Sequence, residues 1–389
     1  MQRTNVRARA ARLGALATLL WPVAGYPLVL ALLARRRSAS SPASSASARN
    51  VAVIVPTYNE AGTIERRLRN LVSCVYSRGD LRVLVVDSGS ADGTAEIADR
   101  FAAEHTLDVT VVREGERRGK ASAINHALGV IDRDAIAIVT DSPTEFDRDA
   151  IERVAAAFDD PNVGAATGTF VVTGEDGWVQ RAEASFWRVR NELRAREAAL
   201  DSTPFLSGEL CAFRRSLVAA LDEDTLADDM NIALQVRRAG YRTVTVECAT
   251  FHEQRSNDLR ELMETKTRRA AGGIQELLRF RDMIFARRYG SFGMLILPSA
   301  MLYYLPLRIP AALMLAPAAL RALRRAPTLL SIAALIGGGA IALRARERIA
   351  MLALTEWLMI RGWQRYLTGQ MDVRWRQERR TPSETAEVT

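Results

Sequence analysis

Hydrophobic and polar positions divide the chain into three textures. Apolar residues fill Leu13 to Leu33 almost without interruption and return from Phe292 to Trp363, while the stretch between them reads as a water-soluble protein. Within that middle stretch, Val51 to Val55 is a continuous apolar run closed by Pro56, the mark of a strand buried on both faces; Ile64, Leu68 and Leu71 then repeat at helical spacing. A second run, Leu81 to Val86, ends at Asp87 and passes through Ser88, Gly89, Ser90, Asp92 and Gly93 into a helix over Thr94 to Ala102. A third, Val109 to Val112, precedes a basic turn at Gly119 and Lys120 and a helix over Ala121 to Leu128; a fourth, Ala135 to Val139, ends at Thr140 and Asp141. Four such alternations predict a doubly wound parallel α/β sheet, whose ligands bind outside the carboxyl ends of the strands.

The flanking apolar segments predict membrane attachment. Arg3, Arg7, Arg9 and Arg12 precede the first run and Ala46-Ser47-Ala48 resembles a cleavage site, so a signal peptide is one reading. The run is about twenty residues, bilayer length and longer than a signal core of about 7 to 15, which favours an uncleaved span. Arg35 to Arg37 then put the following domain on the cytoplasmic side. Residues 38–49, rich in Ser and Ala, read as a tether, and 50–285 as the water-soluble domain that it leads into. In the C-terminal membrane region, 286–367, Pro298, Pro306, Arg308 and Pro310 break Phe292 to Leu320 into one kinked span or two short pieces; Pro327 to Leu343 is a cleaner span, and Arg344 to Tyr366 an amphipathic interfacial helix. Residues 368–389 form a polar tail.

Composition refines this picture in two places. The net charge of +8 comes largely from arginines beside the apolar runs, so anionic lipid headgroups are the expected partner; nucleic acid is not, for lack of a basic stripe with interleaved aromatics. Cys74, Cys211 and Cys248 have no metal or redox spacing and read as small buried hydrophobes in a reducing environment.

The strand ends gather the candidate chemistry: Thr57, Asn59 and Glu60; Asp87 and Ser88; Gly119 and Lys120; Asp141. Neither a dinucleotide fingerprint nor a Walker loop is present. Acids on two strand ends and a lysine on a third suit a metal-bound or lysine-neutralised diphosphate, with base or ribose held by carboxylates. Further on, Asp228 and Asp229 open an amphipathic run through Ile232, Leu234 and Val236. Acids in a first helical turn are favoured by the helix dipole and need no catalytic reason.

These segments together resemble a known family. Val53-Ile-Val-Pro-Thr-Tyr-Asn-Glu60, Val85-Val-Asp-Ser-Gly-Ser-Ala-Asp-Gly-Thr94, Gly119-Lys-Ala-Ser-Ala-Ile-Asn125 and Thr140-Asp141 resemble, in order and spacing, the nucleotide-sugar half of inverting family 2 glycosyltransferases of the GT-A fold. Phe205-Leu-Ser-Gly208, Ala227-Asp-Asp229, Arg238-Ala-Gly-Tyr241 and Lys266-Thr-Arg-Arg269 extend the resemblance, which is to the membrane-bound branch that includes cellulose, hyaluronan and poly-N-acetylglucosamine synthases. It implies Asp229 as the base with Asp228 beside it; Pro56, Thr57, Tyr58, Glu60, Asp87, Ser88, Lys120, Asp141 and Arg268 around a UDP- or GDP-sugar; Gly208 and Glu209 facing a lipid-linked or glycan acceptor; and Mg2+ or Mn2+ on Asp141. Two departures stand out. The usual Asp-x-Asp metal motif reads Asp141-Ser142-Pro143, and the Gln-x-x-Arg-Trp motif reads Thr265-Lys-Thr-Arg268-Arg269, which weighs against processive polymerisation. Rival readings are an impaired relative acting as a scaffold and a nucleotidyltransferase, although Pro56 to Gly62 lacks the glycine-rich, arginine-bearing loop of the latter.

Overall fold

The computed structural model describes residues 2–34, 48–174, 177–255, 258–325 and 346–374. The chain opens with α1 (Gln2–Leu20), a π-helical turn at Trp21–Gly25, and α2 (Tyr26–Ala34). Arg9–Ala34 is the single described helix long and apolar enough by itself to cross a bilayer. The predicted alternation follows: β1 (Val51–Thr57), α3 (Ile64–Ser73), β2 (Leu81–Asp87), α4 (Thr94–Glu104), β3 (Asp108–Arg113), α5 (Lys120–Leu128) and β4 (Ile136–Val139). Beyond it come β5 (Glu145–Phe146), α6 (Ala150–Ala156), β6 (Val163–Thr173), α7 (Trp178–Leu200), β7 (Cys211–Arg214), α8 (Asp228–Arg238), β8 (Arg242–Gln254) and α9 (Leu259–Arg279). The last described helices are α10 (Leu297–Tyr304), α11 (Arg308–Arg325) and α12 (Arg346–Leu367).

All eight strands form one sheet in the order β3-β2-β1-β4-β7-β6-β8-β5. The half from β3 to β4 is parallel, as predicted, and its register pairs Thr57 with Asp87, so two chemistry-bearing strand ends finish level. The other half is mixed. β7 runs antiparallel to both β4 and β6, and β5 antiparallel to β8. The sheet is therefore not doubly wound and parallel throughout. Alternate β1 residues explain its double burial: Val51, Val53 and Val55 join Ile64, Leu68, Leu71, Phe158 and Phe251 on one face, while Ala52 and Ile54 join Ile124, Ile232 and Val236 on the other. Each Val, Ile, Leu or Phe among them contributes about 1.5 to 3 kcal/mol by leaving water.

Past β4, Glu145 lies in β5 against Arg66, Asp147 pairs with His252 at 2.8 Å, and α6 starts at Ala150. The expectation for the cysteines is corrected at one position. Cys74 and Cys211 are buried and burial raises their thiol pKa values, Cys74 to about 11, but Cys248 is exposed.

The chain forms two compact units, residues 1–38 with 266–370 and residues 39–265 with 371–389, so the division falls inside α9. In the first unit α10 and α11 meet at a 79° bend. A bend strips backbone groups of helical partners, and α12 supplies replacements: Glu356 accepts from the Arg308 amide at 3.0 Å, and the Trp363 indole donates to the Tyr304 carbonyl at 2.9 Å. The expected tether, the span over Pro327 to Leu343 and the end of the polar tail lie outside the described residues.

At the register shift between β6 and β8, a Cβ on Gly168 would lie 2.0 Å from the Ala249 carbonyl oxygen. Backbone cannot yield there as a flexible side chain would. Gly168→Ala is accordingly expected to destabilise the sheet by about 1 to 3 kcal/mol, read as a lowered thermal midpoint of the detergent-purified protein.

Candidate active site

Two loops at the level strand ends are laced into one wall. Asn59 takes a left-handed backbone conformation, φ 53°, which asparagine tolerates better than most residues. Its amide donates to the Ser90 hydroxyl at 2.8 Å and its Oδ1 accepts from the Ala91 amide at 2.9 Å. The Glu60 amide donates to Thr94 Oγ1 at 2.8 Å, and Asp92 accepts from the Ala61 amide at 3.0 Å. Asp87 is thereby buried at the base of the wall. One of its carboxylate oxygens accepts from the Ser90 amide at 3.0 Å, and the other is buried with no hydrogen-bond partner among the described residues.

A crevice beside this wall is lined by Pro56, Thr57, Tyr58, Ser88, Arg117, Gly119 and Lys120. The Arg117 guanidinium stacks 3.8 Å above the Tyr58 ring. Gly119 has φ 109°, and a Cβ there would come within 3.0 Å of the Val373 carbonyl oxygen, so residues 371–374 pass along the crevice edge.

Lys120 opens α5 and is the hub of the site. Its ammonium lies 2.8 Å from Asp141 at the end of β4 and 3.1 Å from Asp228 at the start of α8. Burial works against the charged ammonium, but the two carboxylates outweigh it and raise its pKa above the ordinary lysine value. Gly208 completes the enclosure: a Cβ there would lie 3.3 Å from the ammonium nitrogen and 4.0 Å from an Asp228 oxygen. Four chain segments thus converge on one cation.

Asp229 sits next to this pair, its Oδ1 accepting from the Met230 amide at 2.8 Å. Burial first, then the negative charge of Asp228, push its carboxyl up to about 7, against the opposing pull of Lys120 and the backbone amide. Protein surrounds it on most sides although it retains an accessible edge. A helix dipole alone lowers the pKa of a first-turn acid, so the direction of this shift separates Asp229 from a mere helix-start charge.

The structure brings Pro56, Thr57, Tyr58, Ser88 and Lys120 to the crevice wall, Asp87 beside it, and Asp141, Gly208, Asp228 and Asp229 around the lysine. Glu60 accepts from the Thr63 hydroxyl at 2.6 Å. The Glu209 carboxylate is engaged by Arg255 at 2.6 Å and by the Ser207 hydroxyl at 3.0 Å, leaving the backbone at Gly208 as the surface facing Lys120. Arg268 is carried by α9 in the other unit. Sequence reasoning missed Arg117, whose signal is the basic cluster Arg117-Arg118 before Gly119, and the passage of residues 371–374, for which Met371-Asp372-Val373-Arg374 carries no signal.

The mixed α/β sheet, with acids and a lysine at its strand ends, has the GT-A fold seen in nucleotide-sugar transferases. Residues 52–222 match the family model described as Glycosyl transferase family 2. A solved structure, the mannosyltransferase PcManGT from Pyrobaculum calidifontis in complex with GDP-Man and Mn2+, is 31% identical with a TM-score of 0.73, over 93% of this chain and 99% of that one. An N-acetylglucosaminyltransferase of Rhizobium sp. (strain N33) is 30% identical over 212 residues, 50% of this chain and 46% of its own length. A poly-beta-1,6-N-acetyl-D-glucosamine synthase of Staphylococcus aureus (strain MSSA476) is 26% identical over 236 residues, 59% of this chain and 56% of its own. The chain spans about half the length of these curated relatives. It belongs to glycosyltransferase family 2.

Proposed function

We propose that this glycosyltransferase moves a sugar, with inversion, from a UDP- or GDP-sugar to a hydroxyl of a lipid-linked saccharide or growing glycan in envelope or extracellular glycan synthesis. The observation that carries the reading is the Lys120 ammonium held between Asp141 and Asp228, with Asp229 beside them at a pKa of about 7. A base with that pKa is substantially ionised at neutral pH yet still takes up a proton, which suits deprotonation of an acceptor hydroxyl as it attacks the anomeric carbon. Lys120 and Arg117 supply positive charge toward the departing nucleoside diphosphate. Asp87 offers its unpartnered oxygen to the ribose or base.

A divalent ion fits this donor set in one way. No group of three or more His, Cys, Asp or Glu side chains able to hold an ion occurs among the described residues. Magnesium and manganese accept one or two carboxylates completed by phosphate oxygens and water, so Asp141 is the residue that would hold the ion with the donor diphosphate. The ion supplies further positive charge to the leaving group. The mannosyltransferase solved with GDP-Man and Mn2+ puts GDP-mannose first among donors to test, and the N-acetylglucosaminyltransferase relatives add a nucleotide-linked N-acetylglucosamine. The apolar Arg9–Ala34 helix supports attachment to the cell membrane, with the sheet unit on the cytoplasmic side.

The direct test supplies full-length protein in native lipid extract with these donors and Mg2+ or Mn2+, and measures nucleoside diphosphate release. Release above background is expected; none with any donor favours the scaffold. Asp229→Asn is expected to lower kcat by about 10²- to 10⁴-fold while leaving donor Kd near the wild-type value, and near-normal turnover in that variant would remove Asp229 from the base role.

The pKa shift also fixes a pH dependence. The folded-state pKa of Asp229 is raised from 3.8 to about 7, and the base works only when ionised, so kcat/KM is expected to fall as pH drops through about 7 and to level off above it. Asp228→Asn removes a like charge and is expected to move that limb to lower pH. A limb near the ordinary carboxylate range in the wild type would contradict the assignment.

A further inference from the structure

One buried guanidinium lies outside every motif of the family resemblance. Arg67, on α3, is 1% exposed. Removing a charge from water costs several kcal/mol unless hydrogen bonds compensate, so its partners identify what it holds. One terminal nitrogen donates to Thr140 Oγ1 at 2.7 Å; the other donates to the Thr144 carbonyl at 2.8 Å and to Asn70 Oδ1 at 2.7 Å. The guanidinium carbon lies 4.0 Å from the Phe146 ring centroid.

Thr140 and Thr144 bracket Asp141, Ser142 and Pro143, the turn that lacks the second acid of the usual metal motif. Apart from the Asp141–Lys120 ion pair, few hydrogen bonds reach the middle of this turn. The Thr144 amide reaches the Asp141 carbonyl at a long 3.3 Å, and the buried hydroxyls of Ser142 and Thr144 have no hydrogen-bond partner among the described residues. Asn70 secures only the far end, exchanging bonds of 2.9 and 2.8 Å with the Phe146 backbone. The hold extends beyond the turn, because the Thr140 hydroxyl that accepts from Arg67 itself donates to the Glu209 carbonyl at 2.7 Å. Glu209 follows Gly208, whose backbone adjoins the Lys120 ammonium. Two of the four segments around Lys120 are therefore joined to a single side chain through one threonine hydroxyl.

We propose that Arg67 is a positioning residue for glycosyl transfer: through Thr140 and Thr144 it fixes the Asp141 turn and the 207–209 segment against Lys120, and so sets the affinity of the site for a nucleoside diphosphate with its divalent ion. This rests on the assignment of Asp141 and Lys120 to the donor diphosphate. Burial lowers the Arg67 pKa to about 9, partly offset by neighbouring acids that include Asp141, so the guanidinium is charged at neutral pH. Outer-shell partners of this kind are typically worth 10- to 100-fold in metal affinity or activity.

The experiment compares full-length wild type, Arg67→Met, Thr140→Val and Thr140→Ser. Calorimetry follows binding of GDP or UDP in the presence of Mn2+, and steady-state kinetics separates donor KM from kcat. Arg67→Met and Thr140→Val are expected to weaken Mn2+-dependent nucleotide binding about tenfold and to raise donor KM in step, whereas Thr140→Ser, which keeps the hydroxyl, stays near the wild-type values. A merely structural role would lower the active fraction, and with it kcat, without moving nucleotide Kd. Should Arg67→Met fail to fold, the threonine pair decides alone. Unchanged binding in Thr140→Val, or equal losses in Thr140→Val and Thr140→Ser, overturns the proposal. A wild type that binds neither nucleotide with Mn2+ overturns the donor-site reading, and this proposal with it.

Discussion

The contact on which the site depends is the double ion pair of Lys120 with Asp141 and Asp228. The three side chains come from the start of α5, the end of β4 and the start of α8, elements brought side by side only by sheet order and helix packing. Two carboxylates enclosed this closely repel each other, and the ammonium between them makes the arrangement tolerable. Removing the cation would leave two partly buried charges uncompensated, a loss that generally exceeds the net worth of the pair. The geometry around Asp229 depends on the same contact, since Asp228 is both the lysine's partner and the charge that raises its neighbour's pKa.

That dependence explains why two adjacent aspartates at a helix start do different work. Both occupy the first turn of α8, where Ala227 at the N-cap position provides no side-chain acceptor for the free amides. Asp228 is spent on Lys120. Asp229 takes the Met230 amide and is left with its proton affinity raised by enclosure and by its neighbour. A dipole effect is worth about 0.3 to 1 kcal/mol and favours the ionised form, so it opposes the observed direction and is the smaller influence.

Much of this was legible in the sequence, and the limits have physical causes. The four parallel strands announce themselves because burial on both faces demands unbroken apolar runs, as in Val51 to Val55. The antiparallel half does not. β7 has only four residues, and β6 and β8 carry polar positions among the apolar ones, so neither run length nor strict alternation marks them. At the site, residues fixed by local loops, such as Asp87 and Ser88, could be placed from their motif. Partnerships across distant segments could not: the spacing of Lys120 from Asp228, or of Glu209 from Arg255, carries no hint that each pair is in contact. Arg67 is the extreme case, an ordinary-looking helix residue whose role appears only when Thr140 and Thr144 fold against it.

The charge distribution along the crevice ties these observations to direction of transfer. At the Lys120 hub two carboxylates face one ammonium, an excess of negative charge that Asp229 increases when it is ionised. On the proposed donor-site reading, a bare diphosphate would be repelled there, whereas one carrying its divalent ion brings the positive charge this end lacks. Arg117, flattened against Tyr58, belongs to the same crevice lining as Lys120 and adds a second cation to it. The diphosphate with its ion would then meet Lys120 and Arg117 together, leaving Asp229 for the attacking hydroxyl. The loss of the second acid from the Asp141-Ser142-Pro143 turn works in the same sense, because one more carboxylate beside Asp141 would deepen the negative field that the diphosphate must approach.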